Sequence, residues 1–226
     1  MSRKYSRSAG FSRILTAMNQ QLGLRERKKQ RTRETIARAA HELFAERGYH
    51  ATTLPDIAEA ADVSTRTIFA YFPSKEDILF SDFPFMKDAL AQALAERPEG
   101  VDALETVRQF ILSLHGAEKS DLDEQMRLCI ENDDTLRSHL RARLAQLEEL
   151  IAPAIAKDLD APTDDIRPQV VAASLTAAFN VLSERGGGAN KKSKSADDIA
   201  AAIDPVITFL RGGLDALKAP ATTRRR

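Results

Sequence analysis

Along residues 27–47 the apolar positions Ile36, Ala39, Ala40, Leu43 and Phe44 recur at i, i+3, i+4, i+7 and i+8. That spacing predicts one helix with a single buried stripe, closed by Gly48 at its C-terminal end. Thr53 then offers an N-cap with Pro55 in the first turn, and Leu54, Ile57, Ala58 and Ala61 share one side of a short helix. Asp62 and Val63 predict a tight turn, Ser64 caps a second short helix through Phe72, and Pro73 stops it. Ser74 is expected to cap a longer fourth helix, with Glu76 and Asp77 complementing its N-terminal dipole and Pro84 breaking or kinking it near its start.

Beyond Leu79 the pattern stays helical. Further helices are expected over 101–114, 121–132, 135–157, 165–185 and 196–217, with a polar Gly/Lys/Ser loop over 185–195 and a basic tail at 222–226. The fold class is therefore all-α. An N-terminal three-helix unit with a helix-turn-helix is followed by a larger helical domain. The expected divisions are 1–24 as a basic extension, 25–79 as the compact unit, 80–218 as the second helical domain, and 219–226 as a tail.

Composition narrows the function classes. Of 226 residues 43% are hydrophobic, enough for a core, and the single cysteine, Cys129, excludes an internal disulfide or a multi-cysteine metal site. It also fits a reducing cytoplasm, and no apolar run reaches the length of a membrane span. Net charge is zero but unevenly spread. Residues 1–35 hold ten Lys/Arg against two Glu, which leaves 23 against 31 acids in the remaining 191 residues. A basic end on an acidic body suggests a polyanionic partner, with a solvated basic tail as the alternative. Within that end Phe11, Ile14, Leu15, Met18 and Leu22 fall at helical spacing, and Met18 is itself a plausible start. Residues 1–17 read either as a dispensable extension or as an arm that touches DNA.

The stretch Ala61–Leu79, ADVSTRTIFAYFPSKEDIL, mixes three aromatic rings with hydroxyls and cations. On a helix-turn-helix, the second helix enters the major groove. Val63, Ile68 and Phe72 supply an inward face, which leaves Thr65, Arg66, Phe69 and Ala70 outward. Arg66 can pair bidentately with guanine O6 and N7, threonine hydroxyls reach bases or phosphates, and Phe69 suits a thymine methyl. Tyr71, Lys75 and the helix starts at Thr53 and Ser74 lie where phosphates would pass. The basic run 25–33, ending at Arg33, opposes the dipole of its own helix, and phosphate binding gives those cations a reason. A solvated helix start is the other reading of that run.

These residues carry a resemblance. RETIARAAHELFAERGYHATTLPDIAEAADVSTRTIFAYFPSKEDIL, over 33–79, resembles the DNA-binding domain of TetR-family transcriptional regulators. The likeness rests on Ala39-Ala40 with Leu43-Phe44, Arg47-Gly48-Tyr49, Thr52-Thr53, Ile57-Ala58 with Ala61, Val63-Ser64, and Tyr71 through Glu76. It implies a homodimeric repressor that offers one recognition helix per subunit to a palindromic double-stranded operator. It places the DNA-binding set on Arg33, Thr52, Thr53, Ser64, Thr65, Arg66, Thr67, Phe69, Ala70, Tyr71 and Lys75. Phe69 stands where tyrosine is frequent and Ala70 where a larger residue is frequent, so Arg66 and Thr65 should carry more of the specificity.

The resemblance also implies a ligand cavity in the second domain. Its candidate lining is Phe85, Met86, Phe110, Leu114, His115, Met126, Arg127, Leu147, Ile151, Phe179 and Asn180. Apolar stripes of this kind serve equally as plain core. LRERKKQRTR, RTIFAYFPSKEDILF and LRSHLRARLAQLEELIAPAIA are similar to actinobacterial regulators described as binding acyl-CoA-like ligands. A small hydrophobic or acyl-CoA-like effector is thus expected, with no cofactor and no metal. Ala172, Ala173, Ala177, Ala178, Val170, Val171, Leu175 and Val181, with Ala200–Ala202, Ile203, Ile207 and Leu210, suit a four-helix dimer interface. A monomer's own core can use the same residues. An enzyme is disfavoured, because His41-Glu42 lacks the second histidine of H-E-x-x-H at Ala45. The stronger alternative is a DNA-binding regulator controlled by a protein partner or by its own concentration.

Overall fold

The computed structural model describes residues 23–115, 121–185 and 196–218, all of whose regular elements are helices. In order these are α1 (Leu24–Arg47), α2 (Leu54–Ala60), α3 (Thr65–Tyr71), α4 (Lys75–Leu79) and α5 (Phe83–Ala95). They continue with α6 (Ala103–His115), α7 (Asp121–Glu131), α8 (Asp134–Leu159), α9 (Arg167–Arg185) and α10 (Ala196–Lys218). Residues 1–22, most of the 185–195 loop and the 222–226 tail, on which several expectations fell, lie outside the described residues.

The local signals formed as the chemistry dictates. Gly48 ends α1 at φ 86°, where a side chain would be strained, and its N–H donates to Phe44 O at 2.9 Å. Thr53 and Asp56 form a reciprocal capping box, and Ser64 and Ser74 each accept a backbone N–H from the third residue on. Each such cap contributes about 1 kcal/mol. The turn between α2 and α3 is closed by Val63 N donating to Ala58 O at 2.9 Å, with Asp62 at φ 54°, a left-handed conformation that aspartate tolerates.

One expectation needs correction. The helix capped by Ser74 is not long: α4 stops at Leu79, and α5 restarts at Phe83 with Pro84 in its first turn. The break falls at Phe80–Asp82, before the proline, because Pro84 has no N–H to donate and fits a helix start rather than an interior.

The chain packs as two compact units. One runs through Ala89 and takes in Leu114–Arg141; the other comprises Leu90–Ser113 and the chain from Ala142 onward. In the first, α1 is the spine. Ile36, Ala37, Ala40, Leu43 and Phe44 pack with Ile57 and Ala58 of α2, Ile68 of α3, Phe72, and Ile78 and Leu79 of α4. Burying a side chain such as Phe44 or Phe72, each at most 2% exposed, stabilises by roughly 1.5–3 kcal/mol. Met126 of α7 and Leu136 of α8 complete this core. His41 belongs to it as well: its Nε2–H donates to the Ile78 and Leu79 carbonyls at 3.2 and 3.1 Å, closing the end of α4.

In the second unit α9 packs on α10. The start of α6 is capped twice. Asp102 accepts the Glu105 N–H at 2.8 Å, and Asp158 accepts the Ala103 N–H at 2.6 Å. Two ion pairs join α6 to α10: Arg108 Nε to Asp204 at 2.6 Å, and Arg211 to Asp102 at 2.9 Å. Val171, Ala172, Leu175, Ile203, Ile207, Leu210 and Leu214 are buried within this unit. Val171, Ala172, Leu175, Ile203, Ile207 and Leu210, assigned from sequence to a dimer seam, therefore belong to the subunit's own core, while Val170, Ala173, Ala177, Val181 and Ala201 stay exposed.

Candidate DNA-binding face

Helix α3 is held by its inward side and by both ends. Ile68 and Phe72 are each 1% exposed, while Ser64, Arg66, Phe69 and Ala70 face solvent and Thr65, Thr67 and Tyr71 are half-buried. At the start of the helix the Ser64 hydroxyl accepts the Thr67 N–H at 3.0 Å and lies 2.8 Å from the Thr67 hydroxyl. Ser64 and Thr67 are thus occupied with each other. Thr65, Arg66, Phe69 and Ala70 form the outward surface of a two-turn helix, with an exposed 55% for Phe69, an unusual placement for an apolar ring in water.

The other expected contacts divide sharply. Thr53 is exposed and engaged in its capping box, its hydroxyl donating to Asp56 at 2.6 Å. Thr52 departs from the expectation. It is 0% exposed, and its hydroxyl donates to Gly48 O at 2.9 Å and Leu43 O at 3.3 Å, so its side chain ties the α1–α2 turn from within. Lys75 sends Nζ to Tyr49 O and Thr52 O at 2.8 and 2.9 Å and places it 4.1 Å over the Tyr49 ring. Arg33 donates to Tyr71 O at 2.8 Å and lies 4.2 Å over the Phe72 ring. A lysine or arginine that satisfies carbonyls looks in sequence like one that meets phosphate, and only packing separates the two.

Tyr49 anchors the turn beneath Lys75. Its ring packs on Phe44 at 5.1 Å between centroids, and its hydroxyl donates to Glu76 Oε1 at 2.7 Å. Burial, reinforced by the Glu76 carboxylate, pushes the Tyr49 phenol far above its ordinary range. Burial alone would raise Glu76 too, but hydrogen bonds from Tyr49, its own backbone and Ser74 outweigh it and hold that carboxyl below the usual value. Next to it His50 pairs with Asp133, which also caps the start of α8 by accepting the Leu136 N–H at 3.0 Å.

The candidate ligand residues divide between the two units. Met126 is 9% exposed within the core that α1 to α4 build, and Arg127 pairs with Glu131 one turn on in α7. Phe85, Met86 and Leu114 are half-buried parts of that same unit. Phe110, Leu147 and Ile151 are buried in the second unit, where Phe179 and Asn180 are half-buried. The His115 side chain lies outside the described residues. Periodicity marked these faces as apolar without showing which unit each would join.

Sequence reasoning missed Phe209, 78% exposed on α10, and Ile166, 71% exposed just before α9; Val170 and Val181, which it assigned to a dimer seam, stand 56% and 45% exposed along α9. The available signal was that Ile203, Ile207, Leu210 and Leu214 set the inward stripe of α10, which leaves Phe209 off it.

A short helix anchored on a three-helix core, linked by a tight turn to the helix before it and presenting arginine and an aromatic ring outward, defines a helix-turn-helix DNA-binding protein. Residues 36–81 match the family model for bacterial regulatory proteins of the tetR family, and residues 100–214 match the MftR C-terminal domain. The chain belongs to the TetR family of transcriptional regulators. It is 35% identical to the HTH-type transcriptional regulator TcmR of Streptomyces glaucescens, over 71% of this chain and 75% of that one. It is 28% identical to a putative mycofactocin biosynthesis transcriptional regulator, MftR, of Mycobacterium tuberculosis, over 65% and 75%. Among solved structures, Thermus thermophilus FadR, a TetR family transcriptional repressor in complex with lauroyl-CoA, matches at a TM-score of 0.52 and 26% identity. That match covers 80% of this chain and 94% of that one. Fold and relatives are those of transcription regulators, not of enzymes. Among the described residues no helix is long and apolar enough to cross a membrane.

Proposed function

We propose that the protein is a homodimeric repressor that binds a palindromic operator and is released by a small apolar effector of the acyl-CoA class. The observation that carries the DNA half is the outward face of α3. Arg66 pairs with a guanine in the major groove, Phe69 packs on a thymine methyl, and Thr65 contacts a base edge or the adjoining phosphate. Ala70 adds no polar group, which concentrates base reading on Arg66.

Support for the dimer comes from what α9 and α10 leave uncovered. Besides Phe209 and the exposed valines, α10 carries Gly212 and Gly213 in mid-helix, where a Cβ would meet nothing within 4 Å. A glycine inside a helix costs about 0.5–1 kcal/mol against alanine, and nothing among the described residues requires one at either position. Close approach of a second copy's helices supplies the reason. Facing stripes of this kind make an isologous four-helix interface.

For the effector, support comes from FadR, which was solved with lauroyl-CoA, and from the sequence likeness to acyl-CoA-responsive regulators. That structure's description as a repressor also underlies the repressor reading here. The test is a thermal melt of the purified protein with acyl-CoAs of graded chain length. A binding acyl-CoA at a hundredfold excess over its Kd should stabilise the fold by about 2.7 kcal/mol and release the operator in the same titration. A melting temperature unmoved across the series would remove the acyl-CoA assignment and leave a regulator governed by a partner or by concentration.

A further inference from the structure

Arg33 has the composition-level marks of a phosphate contact: it closes a basic run that opens α1, on the helix that flanks α3. Its guanidinium points elsewhere. It reaches the last turn of α3, where Nη1 donates to Tyr71 O at 2.8 Å and the plane covers the Phe72 ring at 4.2 Å. Helix α3 needs such a partner. It is seven residues long, has no basic residue in its last turn, and exits through an extended Phe72 at φ −138°. Its C-terminal carbonyls therefore have neither a following turn nor a cation of their own. Arg33 supplies both a donor and a positive charge from across the core.

The cations one and two turns earlier are more exposed than Arg33. Arg25, Lys28 and Lys29 are exposed, and with Glu26, Thr32, Ala70 and Tyr71 they line an open groove of about 440 Å³ between the start of α1 and the end of α3, while Arg33 lines an adjoining pocket with Lys29, Ala70 and Tyr71. Ala70 is the small floor of that groove. Arg25, Lys28 and Lys29 outweigh the single carboxylate of Glu26, so the groove is net cationic and suits a DNA phosphate.

We propose that Arg33 is a positioning residue for DNA recognition, fixing the end of α3 so that Arg66 and Phe69 meet the bases, while Lys28 and Lys29 carry the phosphate charge on this face. The inference rests on the reading of α3 as the recognition helix. Positioning and charge neutralisation have different signatures. A phosphate contact contributes about 0.9 per subunit to the slope of log affinity against log salt, on any duplex. A residue that aims α3 contributes nothing to that slope and acts only where bases are read.

The experiment measures affinity of the intact protein across a salt series, on an operator recovered by in vitro selection and on a scrambled duplex of equal length. Active fractions are fixed by stoichiometric titration. Arg33→Ala is expected to weaken operator binding roughly tenfold, with the scrambled duplex nearly unaffected and both slopes unchanged. Arg33→Gln, which keeps a donor for Tyr71 O without the charge, should recover part of the loss. Lys29→Ala should weaken both duplexes and lower the slope by about 0.9 per subunit. If Arg33→Ala and Arg33→Gln lower the slope as Lys29→Ala does, Arg33 is a phosphate contact and the proposal fails. Equal losses on both duplexes at unchanged slope would overturn it too, as the mark of mere destabilisation. A wild-type chain that prefers no duplex would overturn the proposed function and this inference with it, whereas a wild type with normal preference confines any failure to Arg33.

Discussion

Phe209→Glu is expected to yield folded monomers and to cut operator affinity by roughly 10²–10⁴-fold, the loss that follows when two linked half-site contacts become independent. Phe209 is 78% exposed, so the substitution disturbs little packing inside the subunit, and the helical content and thermal transition of the monomer should persist. Single exposed apolar residues are ordinary on protein surfaces. What sets this one apart is the glycine pair one turn away on α10, together with Val170 and Val181 left exposed on α9, the helix that packs on α10. At an isologous seam each substitution appears twice, so two carboxylates would be brought toward a surface that excludes water. Sedimentation of wild type and variant checks the result. A variant that remains dimeric at micromolar concentration would place the interface elsewhere.

Arg66→Ala is the second large effect. Arg66 is exposed at the first turn of α3, held by the Ser64 cap and by Ile68 and Phe72 beneath it. A bidentate contact to guanine is worth about 1–3 kcal/mol, or roughly 5–150-fold, at each half-site. The loss should be confined to operators that carry the guanine, because alanine reads no base at that position. Binding isotherms on single-base operator variants would show this directly. Equal loss on every sequence, together with a lower salt slope, would make Arg66 a phosphate contact instead.

Much of the DNA-binding unit was legible because its signals are local. Gly48, Thr53, Ser64, Ser74 and Pro73 act within a turn of where they stand, and each fixed a boundary that the structure keeps. The inward residues at and around α3, Ile68 and Phe72 with the half-buried Val63 of the preceding turn, were readable from the apolar pattern. What spacing could not show are the partners that lie far away in sequence. Arg33 and Tyr71 are 38 residues apart, and Lys75 lies 23 and 26 residues from the carbonyls it satisfies. The chemistry of a cation gives no hint whether an oxygen of the protein or of DNA will claim it. Met126 shows the same limit for apolar residues. Its stripe on α7 marks a buried face, and only the fold shows that α1 to α4 cover it. The break at Phe80–Asp82 was hidden for another reason: the apolar run from Ile78 to Phe80 continues the helical pattern through residues whose backbone leaves it.

The central claim is that two copies of this chain read one symmetric site through α3. Selection of duplexes from a random library by the purified wild-type protein, with its stoichiometry measured on the winner, tests it most directly. The account predicts a palindrome bound by one dimer, with a guanine in each half-site whose requirement disappears when Arg66→Ala is carried through the same selection. No enrichment over random duplex, or an asymmetric site bound by a single chain, would contradict it.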